Sequence, residues 1–168
     1  MALATYADQV AQMLRALKDG GAWSVAKACG PGLARAVHVL AGGSDVVLAP
    51  IPSSPAVVRR RGFDHADALA RACAGHGAGQ VRRVLRRVAP VVDQVGLGVE
   101  ERLANQTSSL GVASGPDVRP VVVVDDICTT GATAAAAAAA LQSAGWCVLG
   151  VVVVAATPRR HARMLSRS

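Results

Sequence analysis

The run Val-Val-Val-Val-Asp-Asp-Ile-Cys-Thr-Thr-Gly-Ala-Thr, residues 121–133, constrains this chain more than any other stretch. Four consecutive β-branched apolar residues suit a strand covered on both faces, as at the centre of a parallel sheet. Two adjacent carboxylates at the end of such a strand are out of place in a core and call for a chemical reason.

The rest of the chain supplies the partners such a strand needs. Residues 5–18 put Tyr6, Val10, Met13, Leu14 and Leu17 at helical spacing, with Gly20-Gly21 as the stop. Residues 23–40 repeat that pattern through Val25, Cys29, Leu33, Val37 and Leu40, and Gly30-Pro31 is expected to break or kink the helix. Val-Val-Leu-Ala-Pro-Ile-Pro, residues 46–52, reads as a buried strand ended by proline, and residues 64–76 as a helix capped by Asp64. Residues 81–88 lean to strand, and residues 94–115 read as a long mobile loop with one helical turn at 99–105. Then come a strand at 120–125, an alanine-rich helix at about 131–144 ended by Gly145, and a strand at 147–155. Alternating strands and helices imply βαβ units and a mostly parallel central sheet flanked by helices, an α/β fold. With 52% apolar residues but only 2% aromatic, the core must be built from Val, Leu and Ala. A length of 168 residues fits a single domain. Within it, residues 1–45 form a helical hood region, 46–156 the core and 157–168 a basic tail.

No apolar run approaches the ~20 residues that span a bilayer. Residues 1–20 lack the basic start and apolar stretch of a signal peptide, so a cytoplasmic location is expected. Cys29, Cys73, Cys128 and Cys147 lie far apart with no Cys-x-x-Cys pair, which argues against zinc and against a disulfide framework. Three are expected to be buried free thiols, while Cys128 falls inside the opening motif. The net charge of +7, gathered in clusters such as Arg59-Arg60-Arg61, Arg82-Arg83 and Arg86-Arg87, favours an anionic partner. Composition alone does not separate a phosphorylated small molecule from nucleic acid.

The motif itself narrows the choice. A strand that leads through Thr129, Thr130, Gly131, Ala132 and Thr133 into a helix forms an anion cup. Unpaired N–H groups at the helix start face outward, the dipole favours negative charge, glycine admits a phosphate close to the backbone, and the hydroxyls can donate. Asp125 and Asp126 would repel that phosphate. They suit the neighbouring vicinal hydroxyls of the same ligand, so a sugar phosphate is the natural occupant. The Walker pattern and the Gly-x-Gly-x-x-Gly pattern are both absent.

Residues 121–133 resemble the phosphoribosyl-pyrophosphate motif of the type I phosphoribosyltransferases. More of the chain, about residues 14–155, is similar to the ComF-like branch associated with competence and gluconate-utilisation operons. The matching stretches are Leu17-Lys18, the proline strand, Arg59-Arg60-Arg61-Gly62-Phe63, Gln94-Val95-Gly96-Leu97 and Arg102-Leu103-Ala104-Asn105. The resemblance implies a pentosyltransferase of nucleotide metabolism that binds phosphoribosyl pyrophosphate with magnesium and transfers the ribose phosphate to a small acceptor, a nitrogenous base. It implies Asp125 and Asp126 as the catalytic acids, with the 5′-phosphate on Cys128, Thr129, Thr130, Gly131, Ala132 and Thr133. Pyrophosphate would be held by Pro52, Ser53, Ser54, Arg60 and Arg61, and a flexible loop would contribute Gln94, Arg102 and Asn105. Mg²⁺ would be held mainly through the substrate, with Asp125 and Asp126 as the protein's candidate ligands. Three departures stand out: these residues contain no cysteine zinc ribbon, Asp64-His65 stands where Asn-Gln is common, and the segment after Asn105 lacks a basic residue often found there.

Two other classes remain open from sequence. A non-catalytic sensor would keep the 125–133 site without an acceptor pocket, in keeping with the lack of a nearby aromatic. A DNA-uptake protein would use the arginine clusters, although one Phe and one Tyr offer little for stacking single strands. Of His38, His65, His76 and His161 only His65, beside the basic turn, invites a test, and a surface position is its simpler reading. The sequence is silent on oligomeric state and allows a homodimer.

Overall fold

The computed structural model describes residues 1–6, 10–13, 15, 22–88 and 110–157. In chain order the elements are β1 (Ala2–Thr5), α1 (Ala22–Ala41), β2 (Val47–Pro50), α2 (Pro55–Arg61), α3 (His65–Ala74), β3 (Gln80–Val81), β4 (Leu85–Arg87), β5 (Leu110–Val112), β6 (Val121–Cys128), α4 (Ala132–Ser143) and β7 (Val148–Ala156). Five strands form one sheet in the order β1-β7-β6-β2-β3, every pair parallel, while β4 and β5 make a separate antiparallel pair. The expected α/β architecture, a mostly parallel central sheet flanked by helices, is the one observed.

The valine run occupies the middle. Val121, Val122, Val123 and Val124 are fully buried, and burial of each contributes roughly 1.5–3 kcal/mol. Their side chains alternate between two cores. Val122 and Val124 pack with Leu33 and Val37 of α1 and Leu69 of α3. Val121 and Val123 pack with Ala137 and Leu141 of α4, Leu85 of β4 and Trp146. The alternation sorts the residues that follow in β6, so Asp126 continues toward α1 and α3 and Asp125 toward α4.

Several expectations need correction. The chain opens with a strand, β1, which pairs with β7 from Ala2 opposite Val153 to Thr5 opposite Ala156. The helix expected from residue 5 is therefore absent at its first positions, although residues 10–13 and 15 are helical. The helix α1 runs through Pro31 without a break. Gly30 serves the packing there, since a Cβ at that position would meet the Ala72 carbonyl oxygen and the His76 ring at 3.0 Å. The strand expected at 81–88 is split into β3, which extends the sheet, and β4, which leaves it. Leu110–Val112, read as loop, pairs with β4. The strand expected to stop at residue 125 continues to Cys128, because Asp125, Ile127 and Cys128 still pair with β7. Cys29 and Cys73 are buried, and burial pushes the Cys73 thiol up to about 11. Cys147 is exposed in the turn before β7. Among the described residues no helix is long and apolar enough to cross a membrane.

Candidate active site

The carboxyl ends of parallel strands are where open α/β sheets bind ligands, and three segments converge there. The first is the cup. Residues Cys128, Thr129, Thr130, Gly131, Ala132 and Thr133 line a pocket together with Asp125. Gly131 stands at the N-cap of α4 with φ +85°, a left-handed conformation that disfavours any residue with a Cβ. No side chain caps the helix from that position. Thr130 Oγ1 accepts from Ala132 N at 3.3 Å and holds the loop closed on itself.

The second segment is the acid pair. Asp126 is buried and Asp125 half-buried. The Asp125 carboxylate accepts from the backbone N–H of Asp126 at 2.9 Å. Burial, and next the charge of Asp126, push Asp125 up to about 7.

The third segment is the turn after β2. Pro50 is opposite Val124, and Ile51 N donates to Val124 O at 3.0 Å, so Pro52-Ser53-Ser54 leaves the sheet level with the acids. Asp64 pins this turn. Its carboxylate accepts from Ser53 N at 2.9 Å and, as the N-cap of α3, from Ala66 N at 3.1 Å. Arg87 of β4 donates to the Pro52 carbonyl oxygen at 2.8 Å. Ser54 caps α2 in turn, accepting from Val57 N at 3.3 Å, with Pro55 at the first helical position.

His65 joins the second and third segments. Its Nδ1 lies 3.2 Å from Ser53 Oγ and its Nε2 3.4 Å from Asp126 Oδ1. The side chain is only 13% exposed, which corrects the expectation of a surface histidine. The structure thus brings together Asp125, Asp126, residues 128–133 and Ser53. Arg60 and Arg61 lie in the last turn of α2, at the far end of a seven-residue helix about 10 Å long. Neither side chain makes an ion pair or hydrogen bond among the described residues. Gln94, Arg102 and Asn105 lie outside the described residues.

Sequence reasoning missed Arg87, for which an arginine in a short strand carries no signal. It also underrated His65, which it singled out only for its place beside the basic turn and for Asp64-His65 standing where Asn-Gln is common. A further cleft gathers Trp23, Phe63, Asp64, Asp67, Arg71 and Arg83. Trp23, at the start of α1, is 54% exposed. Burial would raise Asp67, but hydrogen bonds and charge from Arg83 and Arg71 outweigh it and hold the carboxylate below its usual range.

The family model for the phosphoribosyl transferase domain matches residues 33–166, most of the chain. The protein belongs to the phosphoribosyltransferase family, and its sheet and helices are consistent with the type I fold of those transferases. No curated protein matches the sequence. Among solved structures, the crystal structure of TT1426 from Thermus thermophilus is similar at 18% identity, with 86% of each chain covered and a TM-score of 0.45.

Proposed function

We propose that the chain is a ComF-like phosphoribosyltransferase, one domain that binds phosphoribosyl pyrophosphate with Mg²⁺ and transfers the ribose phosphate to a nitrogenous base. The observation that carries this reading is the placement of the acid pair between two anion-binding segments. Asp125 lines the pocket at the start of α4, and Asp126 reaches Ser53 of the opposite turn through His65. Such a ligand has a phosphate at one end, a diol in the middle and a pyrophosphate at the other. The cup takes the 5′-phosphate, the two acids take the ribose hydroxyls, and Ser53 and Ser54 meet the pyrophosphate, with Arg60 and Arg61 as further cations.

In the reaction the C1–O bond to pyrophosphate breaks, its electron pair leaving on the oxygen, and a lone pair of the base nitrogen forms the new bond at C1. Positive charge builds on the ribose meanwhile, and the carboxylates beside it stabilise that charge. Mg²⁺ supplies charge neutralisation on the pyrophosphate oxygens. The two carboxylates fit such an ion: oxygens of Asp125 and Asp126 lie within 4.8 Å of one another and are the hard ligands Mg²⁺ prefers.

Two observations weigh against the alternatives. The aromatic missing from the sequence near the motif is supplied by the fold, since Trp23 and Phe63 share a cleft with Asp64, which also holds Ser53. That cleft is the acceptor side of our reading and disfavours a bare sensor. Of the clustered arginines, Arg82 and Arg83 are engaged with Asp117 and Asp67, so part of the clustered charge is already paired and less is left for nucleic acid. Calorimetric titration with phosphoribosyl pyrophosphate, with and without Mg²⁺, is the test. Mg²⁺-dependent binding that vanishes in Asp125→Asn/Asp126→Asn is the expected result. No binding to the folded wild type would sink the transferase and sensor readings together.

A further inference from the structure

We infer that His65 is a positioning residue that couples the turn after β2 to Asp126, so that the leaving-group side of the site and the ribose side act together. The inference rests on the phosphoribosyl-pyrophosphate reading above and names the residue that joins its two halves. His65 takes the first position of α3, directly after the capping Asp64, and strand alternation turns Asp126 toward the same helix. Its ring is engaged at both ends, by Ser53 Oγ at 3.2 Å and by Asp126 Oδ1 at 3.4 Å. A carboxylate oxygen facing an imidazole nitrogen accepts, which assigns the ring proton to Nε2 and leaves Nδ1 to accept the Ser53 hydroxyl proton.

The Ser53 hydroxyl is the adjustable part. It also lies 3.3 Å from Asp64 Oδ1, so one proton has two protein acceptors. The turn does not depend on that proton, because Ser53 N already donates to Asp64 Oδ2 at 2.9 Å and Arg87 holds the Pro52 carbonyl oxygen. A pyrophosphate oxygen at the turn becomes a third and stronger acceptor. When the proton swings to it, the ring loses its partner at Nδ1 while keeping the one at Asp126. Occupation of the turn thereby changes how the ring holds the acid on the ribose.

A double-mutant cycle tests the coupling. Affinity for phosphoribosyl pyrophosphate with Mg²⁺ is measured for wild type, Ser53→Ala, His65→Ala and the pair, each checked for an intact melting transition. Each single variant is expected to lose about tenfold and the pair distinctly less than the product of the two, since residues coupled in one network are not additive. A loss of about a hundredfold in the pair, the product of the singles, overturns the coupling. His65→Gln keeps a donor for Asp126 without the bridging ring. It is expected to lose less affinity than His65→Ala and to combine with Ser53→Ala to less than the product of the two as well, and it keeps the test decisive should His65→Ala fold poorly. An independent reading comes from nitrogen NMR of the ring in the ligand-free protein. One tautomer protonated at Nε2, with an Nδ1 resonance that moves in Ser53→Ala, is expected. A ring that samples both tautomers, or an Nδ1 indifferent to Ser53→Ala, overturns the positioning role whether or not the ligand binds. A fixed ring in a folded wild type that binds no phosphoribosyl pyrophosphate instead overturns the functional reading, and the coupling to ligand with it.

Discussion

The two ends of the sheet handle the same residue type in opposite ways. At the amino end Asp117 is surrounded by cations: Arg82 at 2.6 Å and Arg119 at 2.9 Å, with Arg119 also bonded to Gln80 at 2.9 Å. Hydrogen bonds from Arg119 hold the Asp117 carboxyl well below its usual range, and Arg82 also lies over the Trp146 ring at 5.4 Å. At the carboxyl end two aspartates stand side by side, one buried and one half-buried, and Asp125 is pushed up to about 7. One end neutralises its charge to hold the β2, β3 and β6 ends together. The other leaves like charges adjacent, an arrangement that destabilises the empty protein and becomes useful only when a ligand supplies hydroxyls and cations.

The largest expected effect comes from removing the unfavourable end. Asp125→Asn/Asp126→Asn should lower phosphoribosyl transfer by roughly a thousandfold, the scale reached when preorganised charge stabilisation is lost. Its melting temperature should hold or rise. Steady-state kinetics and thermal unfolding on the same preparation check both, and a fall in stability together with activity would show that the pair supports the fold, against the contrast drawn above. Next in size is Gly131→Ala. At φ +85° the added Cβ costs about 1–2 kcal/mol and displaces the loop that forms the cup. Affinity for ribose 5-phosphate should fall about tenfold or more, as the penalty converts at about 1.4 kcal/mol per decade. Unchanged affinity would remove the phosphate from this loop.

The pH dependence sharpens the comparison further. Asp125 binds its proton more tightly in the folded chain, where it titrates at about 7, than in the unfolded chain, where an aspartate titrates near ~3.9. The stability it contributes is therefore complete below about pH 4 and is lost as pH rises through about 7. The wild-type melting temperature should drop across that interval relative to Asp125→Asn. Parallel curves for the two proteins would show that Asp125 titrates as an ordinary carboxyl.

The same contrast explains what could be read from sequence. The valine run, the acid pair and the Thr-Thr-Gly loop are local patterns, and the strand, the cup and the architecture follow from them. What escaped depends on distant partners. Ala2–Thr5 has no strand signature and becomes β1 only because β7 offers a free edge. Gly30-Pro31 looks like a break until the Ala72 carbonyl oxygen and the His76 ring of the neighbouring segment are set against it. His65 shows its role only when Asp126, far along the chain, is brought beside it. The Trp23 cleft is likewise assembled from three separate stretches of chain.

The smallest effect should come from the neutralised end. Asp117→Asn removes the anion that Arg82 and Arg119 share, yet it keeps a side chain that can still accept from the Arg119 N–H, now bonded at 3.0 Å. Arg82 retains its position over Trp146, and Arg119 retains Gln80. Ion pairs near solvent contribute little, so the melting temperature should fall by no more than a few degrees. The difference from wild type should shrink further at about 1 M salt, where the screening length falls to roughly 3 Å. Affinity for phosphoribosyl pyrophosphate should not change, because the sheet's length separates the two ends and no described bond of Asp117 reaches the acids. A variant that kept its melting temperature but lost affinity would show the reverse: that the charges at the amino end act on the site itself, and that the two ends do not divide stability and function between them.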